Sequence, residues 1–278
     1  MGIVAVVAGI YLAILVVLWS MQERITFPAP KAPLPDPREV LGYGERVELT
    51  MRDGTPLVGW YLPAVKNQLR RSGGQEPSAA VKTPAMLWFY GNGETIAAIW
   101  PIIRDFRPPH AALLVVDYPG YGASEGKASE AGMYDAANLA FDALRARPDV
   151  DPQRIYVYGR SLGSAAATHI AATREVAGLI LESPFTSARA MAARHYKIFP
   201  RALVRLRLDN LERIKQIHCP TLIFHGNADM LVPIEMGKEV AAAAAGPVEL
   251  VTIDGSGHND TYDLGTSVYR EKLRGFVR

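Results

Sequence analysis

From Pro84 onward the chain alternates between short, almost wholly apolar runs and longer stretches whose apolar residues recur every three or four positions. The apolar runs fall at 85–90, 111–117, 154–159, 178–181, 221–225 and 248–253. A run that is apolar on both sides of the pleat must be covered on both faces, so these read as strands of a mostly parallel sheet sandwiched between helices. The periodic stretches predict helices at 95–106, 130–147, 162–174, 234–245 and 263–276. Upstream, the runs 47–51 and 57–62 flank Arg52-Asp53-Gly54-Thr55-Pro56, whose Asp-Gly predicts the turn of an antiparallel hairpin. Helical crossovers place every parallel strand's carboxyl end on one edge of the sheet, and sites in such sheets form there. The stretch 186–216 is the one sizeable break in the alternation and reads as a short lid; no internal repeat accompanies it.

The first residues obey a different pattern. Residues 2–19 form 18 consecutive uncharged, predominantly apolar positions, a helix of about 27 Å at ~1.5 Å per residue, enough to span the hydrocarbon of a bilayer. Trp19 suits the lipid–water boundary, and Glu23 and Arg24 end the apolar run. No basic residue precedes the run and no small-x-small site precedes Ser20, which favours a retained anchor over a cleaved signal. Arg24 and Lys31 after the helix bias the remaining chain toward the inner face of the membrane, on the strength of two residues. The expected organisation is an anchor at 1–22, an extended proline-rich spacer at 23–40 and one catalytic domain at 41–278. The polar segment 67–82 reads as a solvated loop.

Composition narrows the function. A chain with 49% hydrophobic and 21% charged residues is neither disordered nor a polytopic membrane protein. A formal charge of +2, with no basic tract interleaved with aromatics, gives no footprint for nucleic acid. The single cysteine, Cys219, forms no internal disulfide and reads as a small buried residue at the start of a strand. His110, His169, His195 and His218 lack carboxylates or cysteine at ligand spacing, so none reads as a metal ligand.

Chemistry enters at Gly159-Arg160-Ser161-Leu162-Gly163, which lies between an apolar strand and an alanine-rich helix. A turn that sharp forces its central serine into a strained backbone, tolerable only when the flanking positions carry no side chain. Ser161 is therefore the candidate nucleophile, and the Leu162 N–H at the helix start a candidate oxyanion donor. Such a serine needs a base and an acid, which follow in the order acid, then histidine. Asp229 lies beyond the run 221–225, and His258 lies in the glycine-rich loop after 248–253. Glu182 and Asp254 remain conceivable as the acid; His225 competes weakly as base and packs under the Asp229 loop. Tyr90-Gly91-Asn92-Gly93 follows the first parallel strand, nominating the Asn92 N–H as second oxyanion donor. The loop at 117–126 is glycine-rich but lacks the lysine of a phosphate loop, and its proline and aromatics suit a structural crossing. A serine–histidine–aspartate trio needs no cofactor.

Taken together, Tyr-Gly-Asn-Gly at 90–93, Asp-Tyr-Pro-Gly-Tyr-Gly-Ala-Ser-Glu-Gly at 117–126, Gly-Arg-Ser-Leu-Gly at 159–163, Glu-Ser-Pro-Phe-Thr-Ser at 182–187 and Gly-His-Asn-Asp at 257–260 make the chain resemble the membrane-associated α/β-hydrolase-domain serine hydrolases. That group includes lysophospholipid lipases and protein depalmitoylases; the likeness extends more distantly to the prolyl oligopeptidases and covers about residues 84–262. One position departs: the family has histidine before Gly-Asn, and this chain has Tyr90. The resemblance implies the α/β-hydrolase fold, the same trio of Ser161, Asp229 and His258, and hydrolysis of an ester or thioester of a lipid-like or acylated substrate. Peptide hydrolysis and a non-catalytic membrane-tethered binding protein are the rival expectations. The lid carries Arg189, Arg194, Lys197, Arg201, Arg205 and Arg207 among apolar residues, a mixture that fits either an anionic membrane surface or a solvated helical face.

Overall fold

The computed structural model describes residues 2–65 and 81–278; most of the polar loop expected at 67–82 lies outside the described residues. Eight strands form one sheet in the order β1-β2-β4-β3-β5-β6-β7-β8. They are β1 (Glu45–Thr50), β2 (Pro56–Leu62), β3 (Thr83–Phe89), β4 (Ala112–Val116), β5 (Val150–Arg160), β6 (Gly178–Glu182), β7 (Thr221–Gly226) and β8 (Val248–Ile253). The β1–β2 and β2–β4 pairs are antiparallel and the remaining pairs parallel. The hairpin closes as its Asp-Gly implied: Gly54 adopts φ +89°, its N–H donates to the Met51 carbonyl, and Asp53 accepts from the Thr55 N–H.

The helices are α1 (Gly2–Thr26), α2 (Pro37–Leu41), α3 (Ile96–Phe106), α4 (Glu130–Arg145), α5 (Gly163–Thr173), α6 (Ala188–His195), α7 (Asn210–Ile214), α8 (Ile234–Ala242), α9 (Thr261–Leu264) and α10 (Thr266–Phe276). The pleat of β5 sorts them into two layers. On one face Tyr156 packs against Phe276 and the Tyr158 hydroxyl meets Tyr269, both on α10. On the other, a Cβ added at Gly159 would lie 2.6 Å from that of Ala167 on α5. Every residue of β3, β4, β6 and β7 is buried, as strands covered on both faces require.

One expectation is corrected. The C-terminal helix, expected unbroken over 263–276, divides at Gly265 into α9 and α10; a Cβ there would lie 2.7 Å from the Thr261 carbonyl oxygen and 2.8 Å from the Ile253 side chain. The proline-rich stretch after α1 is extended but does not stand free. Phe27 and Leu34 are buried, the Gly122 N–H donates to Pro30, Lys31 reaches the Ser124 carbonyl, and Trp60 donates to Pro35.

His169 on α5 stacks on Tyr134 of α4, with ring centroids 4.5 Å apart. Burial, together with the charges of Arg213 and Arg174, pushes its pKa from 6.5 down to about 4. The folded protein thus favours neutral His169, while the unfolded chain protonates it near its ordinary value. This contribution to stability is full above about pH 6.5 and is lost as pH falls toward 4. Urea unfolding at pH 7 and pH 5 is expected to show a lower midpoint at pH 5, and His169→Phe, which keeps the stacking but cannot titrate, to show a smaller drop.

Candidate active site

The turn that ends β5 holds the strained serine. Ser161 has φ +49°, one of four non-glycine residues with positive φ among the described residues. Its conformation is fixed from both sides: the Ser161 N–H donates to the Glu182 carbonyl at 2.8 Å, and its carbonyl accepts from Ser164 Oγ and from the Ser164 N–H. The flanking glycines are sterically compelled. A Cβ at Gly159 would lie 2.4 Å from the Gly163 carbonyl oxygen, and one at Gly163 would lie 2.3 Å from that of Phe89. Gly163 thereby lets the start of α5 abut the carboxyl end of β3, bringing the elbow against the Tyr90-Gly91-Asn92 loop.

Three side chains meet over this turn. His258 Nε2 lies 3.0 Å from Ser161 Oγ, and His258 Nδ1 lies 2.7 Å from Asp229 Oδ2. Since a carboxylate only accepts, Nδ1 carries the proton and Nε2 presents its lone pair to the serine hydroxyl. Ser161 is 8% and Asp229 5% exposed, so the relay lies beneath the surface. Burial pushes the Asp229 pKa up, but contacts with His225 and His258 and the Val232 N–H outweigh it and hold the carboxyl below its ordinary value. The second oxygen, Oδ1, accepts from the N–H groups of Leu231 and Val232 at 2.9 and 2.8 Å.

The rival assignments separate in space. His225 is fully buried beneath the Asp229 loop, donating from Nε2 to the Val232 carbonyl at 2.8 Å, with Asp229 Oδ2 at 3.6 Å. Asp254 accepts from Asn227 on the exposed side of its loop. Glu182 is fully buried and accepts from the hydroxyls of Tyr158, Tyr269 and Thr261 and from Arg160. The nominated donors, the N–H groups of Leu162 and Asn92, have no protein acceptor among the described residues; the Asn92 side chain accepts from the Tyr121 hydroxyl at 3.3 Å.

At the departure from the family pattern, Tyr90 turns its hydroxyl inward. It donates to Asp117 Oδ1 at 3.0 Å and accepts from the Tyr118 N–H, while the Tyr118 hydroxyl donates to the Tyr90 carbonyl. Asp117 also accepts from the N–H groups of Ile96 and Ala123. The glycine-rich loop at 117–126 is thus the structural crossing its composition suggested. No cluster of three His, Cys, Asp or Glu side chains suited to a metal ion occurs among the described residues. Burial pushes the Cys219 thiol up to about 11, which leaves it a poor nucleophile.

Sequence reading missed Arg160, which occupied an unassigned position of the elbow pentapeptide. Its guanidinium is buried and ties four segments together. Nη1 donates to Glu94 at 2.5 Å and Nε to Glu182 at 3.2 Å; Nη2 donates to the His258 carbonyl and to Asn259 Oδ1, both at 2.8 Å. Glu94 in turn accepts from the Gly91 N–H at 2.6 Å, so one cation links the elbow, the Asn92 loop and the His258 loop. Burial opposes its charge, yet Glu182 and Glu94 outweigh that penalty and raise its pKa. A buried arginine inside a turn motif was the available signal, but its partners lie between 22 and 99 residues away in sequence.

An eight-stranded sheet with antiparallel β2, a strained serine after β5 and an aspartate and histidine after β7 and β8 define an α/β-hydrolase fold. Comparison with known proteins gives the family. The model described as "Serine aminopeptidase, S33" matches residues 82–214. An uncharacterized protein of Mycobacterium tuberculosis is 35% identical over 278 residues, covering 99% of this chain and 94% of that one. Human alpha/beta hydrolase domain-containing protein 17B is 36% identical over 164 residues, covering 58% of this chain and 54% of its own length. The Pyrococcus furiosus esterase Pf2001 superposes with a TM-score of 0.70 at 19% identity, covering 89% of this chain and 97% of the esterase. The chain belongs to the α/β-hydrolase family.

Arg160 holds the His258 backbone without contacting its imidazole or Ser161 Oγ, so if this relay is catalytic Arg160→Ala is expected to lower kcat/KM about 10- to 100-fold, the worth of a charged hydrogen bond in a buried site. Arg160→Lys should recover part of that loss. The check is steady-state turnover alongside near-UV circular dichroism, which should stay close to wild type in the lysine variant.

Proposed function

We propose that this protein is a serine hydrolase that cleaves carboxylic esters or thioesters of lipid-like or acylated substrates. The observation that carries this reading is the relay of 3.0 Å and 2.7 Å from Ser161 through His258 to Asp229. In the proposed cycle His258 Nε2 takes the Ser161 proton as Oγ attacks the acyl carbonyl, giving a tetrahedral intermediate. The N–H groups of Leu162 and Asn92 receive its oxyanion, and His258 returns the proton to the departing alcohol or thiol. Water, deprotonated by the same imidazole, then releases the acid from the acyl-enzyme. Asp229 holds Nδ1 protonated and stabilises the imidazolium; its lowered pKa keeps it charged wherever the histidine can work as a base. The cycle needs no cofactor or metal.

The esterase neighbour on the same fold supports the ester reading, and α1 supports a lipid-like substrate. Helix α1 is long and apolar enough to cross a membrane, and we read it as a retained single-pass anchor for the catalytic domain. The matched family model is described as a serine aminopeptidase, which keeps peptide hydrolysis as the second reading.

Three outcomes are expected. Ser161→Ala should remove turnover and labelling by a fluorophosphonate probe while leaving the unfolding transition close to wild type. Asp229→Asn should cost about 10⁴ in kcat, because the amide favours the wrong imidazole tautomer. Acyl esters and thioesters of graded chain length should be turned over faster than peptidyl amides; strong amide cleavage with inert esters would transfer the assignment to a peptidase.

A further inference from the structure

Helix α1 is not a free tether. From Tyr11 onward it lies along the lid segment between α6 and α7. The Tyr11 hydroxyl donates to the Ile198 carbonyl at 2.9 Å. Gln22 donates to the Leu203 carbonyl at 2.8 Å and accepts from the Arg205 N–H at 2.7 Å, so its amide continues the lid backbone like a paired strand. The Arg205 guanidinium sits over the Trp19 ring, 4.5 Å from its centroid, and donates to the Trp19 carbonyl. Leu18 and Ile25 meet Phe199, Val204 and Leu206 of the lid around a small apolar cavity. Much of the helix is nevertheless exposed: Ile3 is 82% and Leu12 61% exposed.

The surface beside this contact shows apolar side chains to solvent. Tyr196, Ile198, Met230 and Leu231 are all exposed, Met230 by 79%, and His195 Nε2 donates to the Leu231 carbonyl at 3.0 Å, fastening the lid to the Asp229 loop. Arg194, Lys197 and Arg201 line an open cavity of about 620 Å³ with Met230, and none of the three pairs with a carboxylate among the described residues. Exposed apolar residues ringed by unpaired cations are the composition of a surface that meets anionic lipid.

We propose that the lid and the Asp229 loop form the protein's bilayer-facing rim, inserting beside α1 with Arg194, Lys197 and Arg201 among anionic headgroups. Tyr11 lies eight residues before Trp19, a rise of about 12 Å. If Trp19 marks the lipid boundary, the Ile198 backbone bonded to Tyr11 is carried below it, while Arg205 stays at the boundary with Trp19. The helix therefore cannot enter hydrocarbon without drawing the rim with it, and long basic side chains reach back to the headgroups. The Met230 loop also holds Asp229, so on the function proposed above the catalytic edge of the sheet faces the leaflet, and an acyl chain passes from lipid to Ser161 without crossing water.

Spin labelling of the full chain in vesicles tests this independently of turnover, so its failure and that of the hydrolase reading are distinguishable. A nitroxide at Ile198→Cys, in a Cys219→Ala background, is expected in phosphatidylcholine vesicles containing phosphatidylglycerol to be reached by oxygen and shielded from a water-soluble nickel chelate. A label at Gln153→Cys, exposed near the start of β5, should be reached by the chelate. An Ile198 label as open to the chelate as the Gln153 label overturns the proposal. Shielding from both relaxants also overturns it, because the site is then covered by protein, as in contact with a second copy. Combining Arg194→Gln, Lys197→Gln and Arg201→Gln should raise chelate access at Ile198 about tenfold in the anionic vesicles. Unchanged access would remove the headgroup assignment.

Discussion

A serine held at φ +49° at the end of β5 is the constraint around which the rest of the molecule is arranged. An L-residue occupies that region only when its surroundings leave no alternative. Here the Glu182 carbonyl takes the Ser161 N–H, Ser164 binds its carbonyl, and β5 and α5 approach so closely that Gly159 and Gly163 have no room for a Cβ. The strain is local, but what sustains it is the buried centre of the sheet. Strands covered on both faces fix the carboxyl edge as one rigid rim, and the loops after β3, β5, β7 and β8 all leave from it.

Rigid strands alone do not align loops to within hydrogen-bond reach. Arg160 performs that alignment with one planar group whose donors point in fixed directions. It binds the His258 carbonyl, the Asn259 amide oxygen, Glu94 and Glu182, and Glu94 passes the constraint on to the Gly91 N–H. Burying a guanidinium is costly, and the arrangement persists because each of its three nitrogens donates to a charged or polar acceptor. The Glu182 carboxyl is satisfied in turn by tyrosine hydroxyls. Burial, and then the Glu182 charge, raises the Tyr158, Tyr262 and Tyr269 pKa values well above the ordinary phenol value, so they remain donors.

Tyr90 braces the loop that follows β3. Its hydroxyl bridges Asp117 and the Tyr118 N–H, and Asp117 also satisfies the first N–H of α3. The turn carrying Asn92 is thus braced by an aromatic cluster in which the Tyr90 and Tyr118 rings lie 4.6 Å apart. On the lid side, Asn210 of α7 donates to Ser164 Oγ and the Phe185 carbonyl, connecting the lid's far end to the elbow.

The sequence by itself determined the succession of elements, because burial on both faces demands uninterrupted apolar runs, and helices repeat every three to four residues. It also determined the glycine-flanked serine turn and the order in which Asp229 and His258 follow it along the chain. Element ends shifted where distant atoms intervene: β5 starts at Val150 across an irregular register, and Gly265 divides the last helix. Tertiary structure alone decided which carboxyl group reaches His258, since Asp229, Glu182 and Asp254 all follow strand ends and differ only in direction. It decided likewise that Arg160 would bind three loops, that the proline-rich stretch would lie on the domain, and that α1 would pair with the lid. Periodicity and turn chemistry act over a few residues and can be read along the chain; these contacts join segments up to 187 residues apart and exist only once the sheet has brought them together.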